Sequence, residues 1–494
     1  MPHRLSQAGL DALPAAVARL RYDRAALRTG IVHLGLGAFH RAHQAAYTEA
    51  VLAGGDARWG TVAASLRSPD TRDALAPQDG LYTLAVRGEE STYTVLGGLR
   101  RILVAPESPA ALLDEMCRPE VAVVSLTVTE KAYCRDPASG LLDESHPDIR
   151  HDLAHPHAPR SAPGFLAAGI ARRRAAGLPA FTVLCCDNLP ANGEAVHRVL
   201  ARLAELLAPG LGVPDLGAYV RDEVACPNTM VDRIVPATTD EDRARVAAAL
   251  GVEDAWPVVA EPFTQWVIED RFPAGRPAWE MAGAQFVSDV APFEAMKLRL
   301  LNGAHSALAY LGQLAGHETV ADAMGDPGLA AYLQGLMADA AATLSMPPGT
   351  DVAGYMDALL RRFRNPALRH RTGQIAMDGS QKLPQRLLAV VRERLARGLP
   401  IERHALAVAA WMRYVAGSDE RGRPIEVRDP LAAELGSIAR AAGPAPERLA
   451  PALLGVAAVF GADLPADSRV RTAVTEALTR LHALGASRAA ALAA

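Results

Sequence analysis

Short apolar runs alternate with amphipathic stretches through the first part of the chain. GIVHLGLGAF (30–39) starts as a strand and ends in a glycine-rich turn, and the alanine-rich RAHQAAYTEAVLAGG after it has helical character. WGTVAASL (59–66), VAVVSLTV (121–128) and FTVLCCD (181–187) are β-branched and continuously apolar. That is the pattern of strands buried on both faces. PAALLDEMC and FLAAGIARRRAAG, between strand candidates, carry a helical pattern. The alternation predicts an α/β fold, a Rossmann-like N-terminal domain with a mostly parallel sheet over residues 1–290. Strand signals then fade. From EAMKLRLLNGAHSALAYLGQLAG onward, Ala/Leu/Arg-rich stretches broken by Pro and Gly predict a largely α-helical C-terminal domain, residues 291–494. The aromatic and proline-rich segment before it, EPFTQWVIEDRFPAGRPAWEMAGAQFVSDVAPF, is expected to pack between the two halves, and the terminal GASRAAALAA to be a fraying helix end.

Composition narrows the class. With 494 residues, 50% of them hydrophobic, the chain has enough apolar material for two to four domains and is not disordered. Its 51 basic and 55 acidic residues give no electrostatic reason to expect nucleic acid or an anionic membrane as partner. No apolar run reaches the ~18 residues of a membrane span, and the N-terminus lacks the layout of a signal peptide. Five cysteines, 117, 134, 185, 186 and 226, form an odd set without a CxxC motif. They read as buried free thiols in a reducing cytoplasm.

Lysine occurs only at Lys131, Lys297 and Lys382, against 48 arginines, and asparagine only at Asn188, Asn192, Asn228, Asn302 and Asn365. Arginine cannot give up its proton at a useful pH, whereas a desolvated lysine can. The three lysines are therefore candidates for work that needs an amine; the alternative is chance survival. Lys297, Asn302 and His305 share a predicted helix, where about 100° per residue sets them at roughly 0°, 140° and 80°. They span one face, which presents an amine, an amide and an imidazole. Asn188 follows the apolar strand 181–187, at the strand end where α/β proteins carry ligand chemistry.

Gly35-Leu36-Gly37-Ala38-Phe39-His40 has the form of a phosphate-binding turn. Glycine lets the backbone approach a pyrophosphate, and the helix start favours its charge. The third glycine is replaced by His40, so the signal rests on its place after the first strand. Asp70, beyond the second strand, is the carboxylate expected to accept the ribose hydroxyls. Arg67 and Arg72 beside it leave NADP open, but NAD(H) is favoured.

KLRLLNGAHSALAYLG (297–312), IVHLGLGAFHRAHQA (31–45), VSLTVTEKAYC (124–134), CDNLPANG (186–193) and PNTMVDRIVPATT (227–239) resemble the polyol-specific long-chain dehydrogenases, the family of mannitol 2-dehydrogenase and fructuronate reductase (D-mannonate oxidoreductase). The resemblance runs from about residue 20 to 480. It implies metal-independent hydride transfer between NAD(H) and a sugar carbon. It also implies a catalytic lysine at Lys297, oxyanion-binding asparagines at Asn188 and Asn302, and a substrate-binding histidine at His305. Asp232 and Lys382 match further substrate contacts, and Glu130 and Glu294 match carboxylates of proton passage. A lysine serving as base near pH 7–8 would need its pKa lowered by roughly 3 units, about 4 kcal/mol.

Competing chemistries fit less well. The Tyr-x-x-x-Lys pair of short-chain dehydrogenases is absent, since Thr127, Phe293 and Asp378 precede the lysines by four. The histidine-rich HPDIRHDLAHPH offers His151 and His155 at i, i+4, but Pro147 and Pro156 are expected to disrupt a helix there, and no cysteine is near in sequence, so no metal is expected. For the substrate, RHRTGQIAMDGSQKLPQRLL (369–388) looks like fructuronate reductases. Gln374 stands where mannitol 2-dehydrogenases carry arginine, and Arg371, Lys382, Arg386 or Lys131 could answer a carboxylate. SLRSPD leans the other way, and Gly373 replaces an aromatic usual in fructuronate reductases. D-Fructuronate/D-mannonate is preferred over D-mannitol/D-fructose or another polyol, with a non-catalytic dinucleotide-binding protein as the remote alternative. Oligomeric state stays open, a monomer included.

Overall fold

The structure is a computed structural model and describes residues 3–88, 90–136 and 139–494. It comprises two compact units, Met1–Ala291 and Pro292–Ala494. In the first, β1 (Thr29–Leu34), β2 (Gly60–Ser65), β3 (Leu99–Val104), β4 (Val123–Leu126) and β5 (Thr182–Cys185) form one sheet in the order β3-β2-β1-β4-β5. All its pairings are parallel, with Ile31 of β1 facing Thr61 of β2 and Val123 of β4. This is the Rossmann order, and the chain reverses direction across the sheet between β1 and β4, where such folds open a ligand crevice.

Both faces of the sheet are covered, which is why its central strands read as unbroken apolar runs. On one face Val32, Leu34, Val124 and Leu126 pack against Leu112, Ile149, Phe165 and Val199 of four helices. On the other, Ile31, Val123 and Leu184 meet Tyr47, Val51, Trp266 and Trp279. The aromatic segment expected between the halves thus builds the first unit's own core. Within it, Gln265–Glu269 and Gln285–Val287 join Thr229–Asp232 in a three-stranded sheet. A further sheet contains the antiparallel pair Tyr82–Arg87 and Ser91–Leu96. The helix expected after the glycine turn is two pieces, Ala38–Ala42 and Gln44–Ala53, broken at His43, whose φ of −117° and ψ of −92° leave the helical region.

The second unit is helical. Glu402–Val415 is buried nearly all round and packs on Ala304–Ala315 and Ser468–Leu484. Two segments, Lys297–Gly303 and Pro384–Leu388, are π-helical and pack against each other. A Cβ at Gly303 would lie 2.8 Å from the Arg386 carbonyl oxygen, so glycine lets the two backbones touch. The chain terminus does not fray. Ala486, Ala489 and Ala490 are buried against Pro327–Ala341, and Arg403 donates to the carbonyls of Ala493 (2.8 Å) and Ala494 (3.0 Å). No helix among the described residues is long and apolar enough to cross a membrane.

Candidate functional site

The first unit's chemistry begins where β1 ends. Gly35 has φ +94°, and a Cβ there would lie 2.2 Å from the Thr127 carbonyl oxygen, so only glycine fits. The Thr127 hydroxyl donates to the Gly35 carbonyl at 2.7 Å. Gly37 differs: a Cβ there meets nothing nearer than the Gly35 carbonyl at 3.9 Å, and the space beyond is open. That space continues into a cavity of about 310 Å³ lined by Gly37, Ala38, Arg41, Thr71, Arg243 and Trp256, among others. Arg41 is buried and its Nε has no partner. An open backbone turn beside two arginines fits the pyrophosphate of a dinucleotide. Phe39 stacks on His43 at 5.0 Å. His40, in place of the third glycine, stacks on buried His33 with ring centroids 3.4 Å apart. Burial holds His33 neutral, its pKa pushed down to about 3. This imidazole pair beneath the turn is not foreseen in the sequence.

Asp70 opens the helix Asp70–Leu75 and accepts from the Ser68 hydroxyl at 3.0 Å. The flanking arginines are both engaged, Arg67 with Asp148 at 3.0 Å and Arg72 with Asp73 and Glu107. Past β4 and β5, the Asp187 carboxylate accepts from Val128 N (2.9 Å), Thr129 N (3.0 Å) and Tyr133 OH (2.6 Å). It thereby clamps the loop that carries exposed Glu130. Burial raises the Asp187 pKa. Asn188, next in sequence, is exposed. Asn192 donates to the carbonyls of Cys185 and Asp187 and to the Thr229 hydroxyl, each at 3.1 Å, and accepts from Thr229 N at 2.9 Å. It ties the end of β5 to the strand that ends in buried Asp232. Asparagine scarcity points to Asn192 as much as to its neighbours.

In the second unit, half-buried Glu294 lies in the helix Ala291–Met296, directly before the π segment that contains Lys297 and Asn302. The α-helical angles expected for this stretch are corrected by that geometry. The wider π turn, closed by i→i+5 hydrogen bonds, brings Lys297 and Asn302 nearer to a common face than the ~140° of an α-helix. Arg386 reaches across from the facing π segment to the Asn302 carbonyl at 3.5 Å and the Ser306 hydroxyl at 3.1 Å. His305 is buried, stacked on Phe363 at 5.0 Å and edge-on to His370 at 4.7 Å. Its pKa is lowered well below the usual value, first by burial and then by His370, Arg386, Arg362 and Lys382. Lys382 donates to the carbonyls of Met377 (2.5 Å) and Ile375 (3.4 Å), with Asp378 at 3.9 Å. Burial lowers its pKa. Arg371 and Gln374 are exposed, and Arg371 faces Glu318 at 3.6 Å.

The histidine-rich segment folds otherwise than expected. Pro147 is the first residue of a regular helix, Pro147–Ala154, where its missing N–H costs nothing. The fold also brings Cys134 beside His146 and Asp148, their ligand atoms within 4.8 Å of one another. All three have other engagements. Asp148 pairs with Arg67, the Asp148 N–H donates to His146 Nδ1 at 3.2 Å, and burial raises the Cys134 thiol to about 12. The five cysteines are free thiols; four are buried, but Cys117 is half-buried.

Known proteins resemble the chain along its length. A family model described as Mannitol dehydrogenase Rossmann domain matches residues 29–281, and one described as Mannitol dehydrogenase C-terminal domain matches residues 289–482. D-mannonate oxidoreductase of Escherichia coli (strain K12) is 49% identical over 477 residues, 95% of this chain and 96% of that protein. Mannitol 2-dehydrogenase of Aspergillus fumigatus is 40% identical over 493 residues, 97% of this chain and 96% of that one. The solved structure of Pseudomonas fluorescens mannitol 2-dehydrogenase in ternary complex with NAD and D-mannitol matches with TM-score 0.83 at 40% identity, covering 99% of this chain and 98% of the other.

Proposed function

This chain belongs to the mannitol dehydrogenase family, and from that premise we propose that it is an NAD(H)-dependent enzyme interconverting a 2-keto sugar acid and its 2-hydroxy form, D-fructuronate and D-mannonate. One observation carries the choice of an acid. Arg386, which donates to the Asn302 carbonyl and the Ser306 hydroxyl, acts on buried His305 together with Lys382, a surrounding that favours an anion. A neutral polyol has no use for such a field; a uronate carboxylate does. The 49% identity to D-mannonate oxidoreductase supports the same choice. The second reading, D-mannitol and D-fructose, draws on the likeness to the mannitol-bound structure.

Each residue has a duty in this reading. When bound, the nicotinamide supplies the hydride acceptor for oxidation and the donor for reduction. Lys297 takes the substrate hydroxyl proton in oxidation and returns it in reduction. Asn302 and Asn188 donate to the oxygen on which charge develops. His305, Asp232, Lys382, Arg371 and Gln374 contact the substrate, and Glu130 and Glu294 pass the proton onward. Gly35, Gly37, Ala38 and Phe39 hold the cofactor. Asp70 accepts its ribose hydroxyls and repels a 2′-phosphate, while Arg67 and Arg72 are committed to carboxylates. No metal takes part.

NADH oxidation with D-fructuronate, D-tagaturonate, D-fructose and D-xylulose tests the reading, repeated with NADPH. The expected result is highest kcat/KM for a ketouronate with NADH. Preference for an uncharged ketose would refute the choice of an acid.

A further inference from the structure

We propose that His370 determines substrate specificity, joining His305 in holding the carboxylate of a sugar acid. The inference rests on the sugar-acid reading above and adds a residue to which neither the sequence motifs nor the resemblance assigns a role.

The backbone aims this side chain deliberately. Asn365 caps the short helix Pro366–Leu368, its Oδ1 accepting from Ala367 N at 3.0 Å. Arg369 then adopts the left-handed region at φ 44° and ψ 40°, a conformation a residue with a Cβ resists. The His370 carbonyl accepts from Val320 N at 2.9 Å, and Arg371 bridges Thr319 in antiparallel register. The strained residue and the distant bridge fix the turn from both sides, as happens where a side chain must be presented to a ligand.

What is presented lacks an internal partner. His370 Nδ1 and His305 Nε2 are both buried and neither has a hydrogen-bond partner, although the two rings lie edge to face with centroids 4.7 Å apart. Buried polar atoms are almost always satisfied, so two neighbouring exceptions point to a ligand with oxygen atoms. Phe363 stacks on His305 and limits its freedom to turn toward another partner. Burial lowers the pKa of both rings, so each meets the ligand neutral, able to donate one N–H. Arg386, which donates to the Asn302 carbonyl and the Ser306 hydroxyl, acts on the same ring and sets the sign of the ligand: a carboxylate accepts from both imidazoles and answers its charge. A sugar hydroxyl would satisfy the nitrogens and leave the Arg386 charge as it is.

The test compares wild type, His370→Gln and His370→Asp by initial rates at saturating NADH, with D-fructuronate and D-fructose as substrates. Thermal unfolding and NADH titration check each variant's integrity. His370→Gln is expected to raise KM for D-fructuronate at least tenfold, leaving kcat and the KM for D-fructose within about threefold. His370→Asp sets a carboxylate against the substrate's own and is expected to raise KM for D-fructuronate about a hundredfold. A wild type that prefers D-fructuronate, with KM unmoved in both variants or moved equally for the two substrates, overturns this inference alone. A wild type without preference for the acid overturns it together with the sugar-acid reading. If His370→Asp does not fold, His370→Gln still decides.

Discussion

Two glycines, two residues apart, do opposite work in the turn after β1. Gly35 is held where any side chain would strike the Thr127 carbonyl, while Gly37 borders open space. Gly35→Ala should therefore cost about 1–3 kcal/mol of stability and lower Tm, because the residue is strained and obstructed at once. Gly37→Ala should leave Tm nearly unchanged and weaken NADH binding, read by fluorescence titration, at least tenfold. Equal effects of the two on Tm would refute the division of labour. Lys297→Ala is expected to keep NADH binding and lose nearly all turnover; near wild-type kcat would end its assignment as base. His33 makes a prediction about pH. Its folded pKa, pushed from 6.5 to about 3, lies below its unfolded value. Above pH 6.5 both states are neutral and the contribution is complete. Below it the unfolded chain takes up a proton that the fold refuses, so stability falls as pH drops from 6.5 toward 3. The loss is ~2 kcal/mol by pH 5. Denaturant unfolding at pH 7 and 5 checks the slope, which should shrink in His33→Gln.

Among the elements, the strands buried on both faces were legible and those with exposed positions were not. β1, β2, β4 and β5 show as apolar runs. β3, LRRILV, exposes Arg100 and Arg101 at one edge of the sheet, so no run appears, whereas β5 at the other edge is buried at all four positions and reads as one. The pair Tyr82–Arg87 and Ser91–Leu96 had only a short period-two alternation to announce it. The site shows the same division. Scarcity singles out Lys297 and Asn302, but the geometry that aligns them is a π turn, invisible to a 3.6-residue period. His370 is one histidine in a basic stretch until Arg369 and the Thr319 bridge aim it. The π pair also carries a prediction. Gly303→Ala would wedge a methyl 2.8 Å from the Arg386 carbonyl. It should cost about 1–3 kcal/mol by overpacking. It should also lower kcat while the helical circular dichroism stays, because Asn302 shifts relative to Lys297. A lowered Tm with unchanged kcat would show the contact to be only structural.

At the scale of the molecule, a Rossmann unit with its sheet fully covered and a helical unit closed by its own last helix account for the apolar half of the composition. The last helix is a working part. Deleting residues 486–494 uncovers the flank of Pro327–Ala341 and strips Arg403 of two carbonyl partners. Calorimetry should show Tm lowered by several degrees, as a loss of ~1–3 kcal/mol implies. An unchanged Tm would mean that the burial of Ala486, Ala489 and Ala490 contributes nothing.

The sparing use of lysine has a practical corollary. Lys297 and Lys382 are half-buried, and Lys131 is exposed on the loop clamped by Asp187. An amine-reactive dye would thus find one readily accessible lysine besides the chain's α-amino group. A fluorophore attached to that lysine would report on the loop without any engineered cysteine.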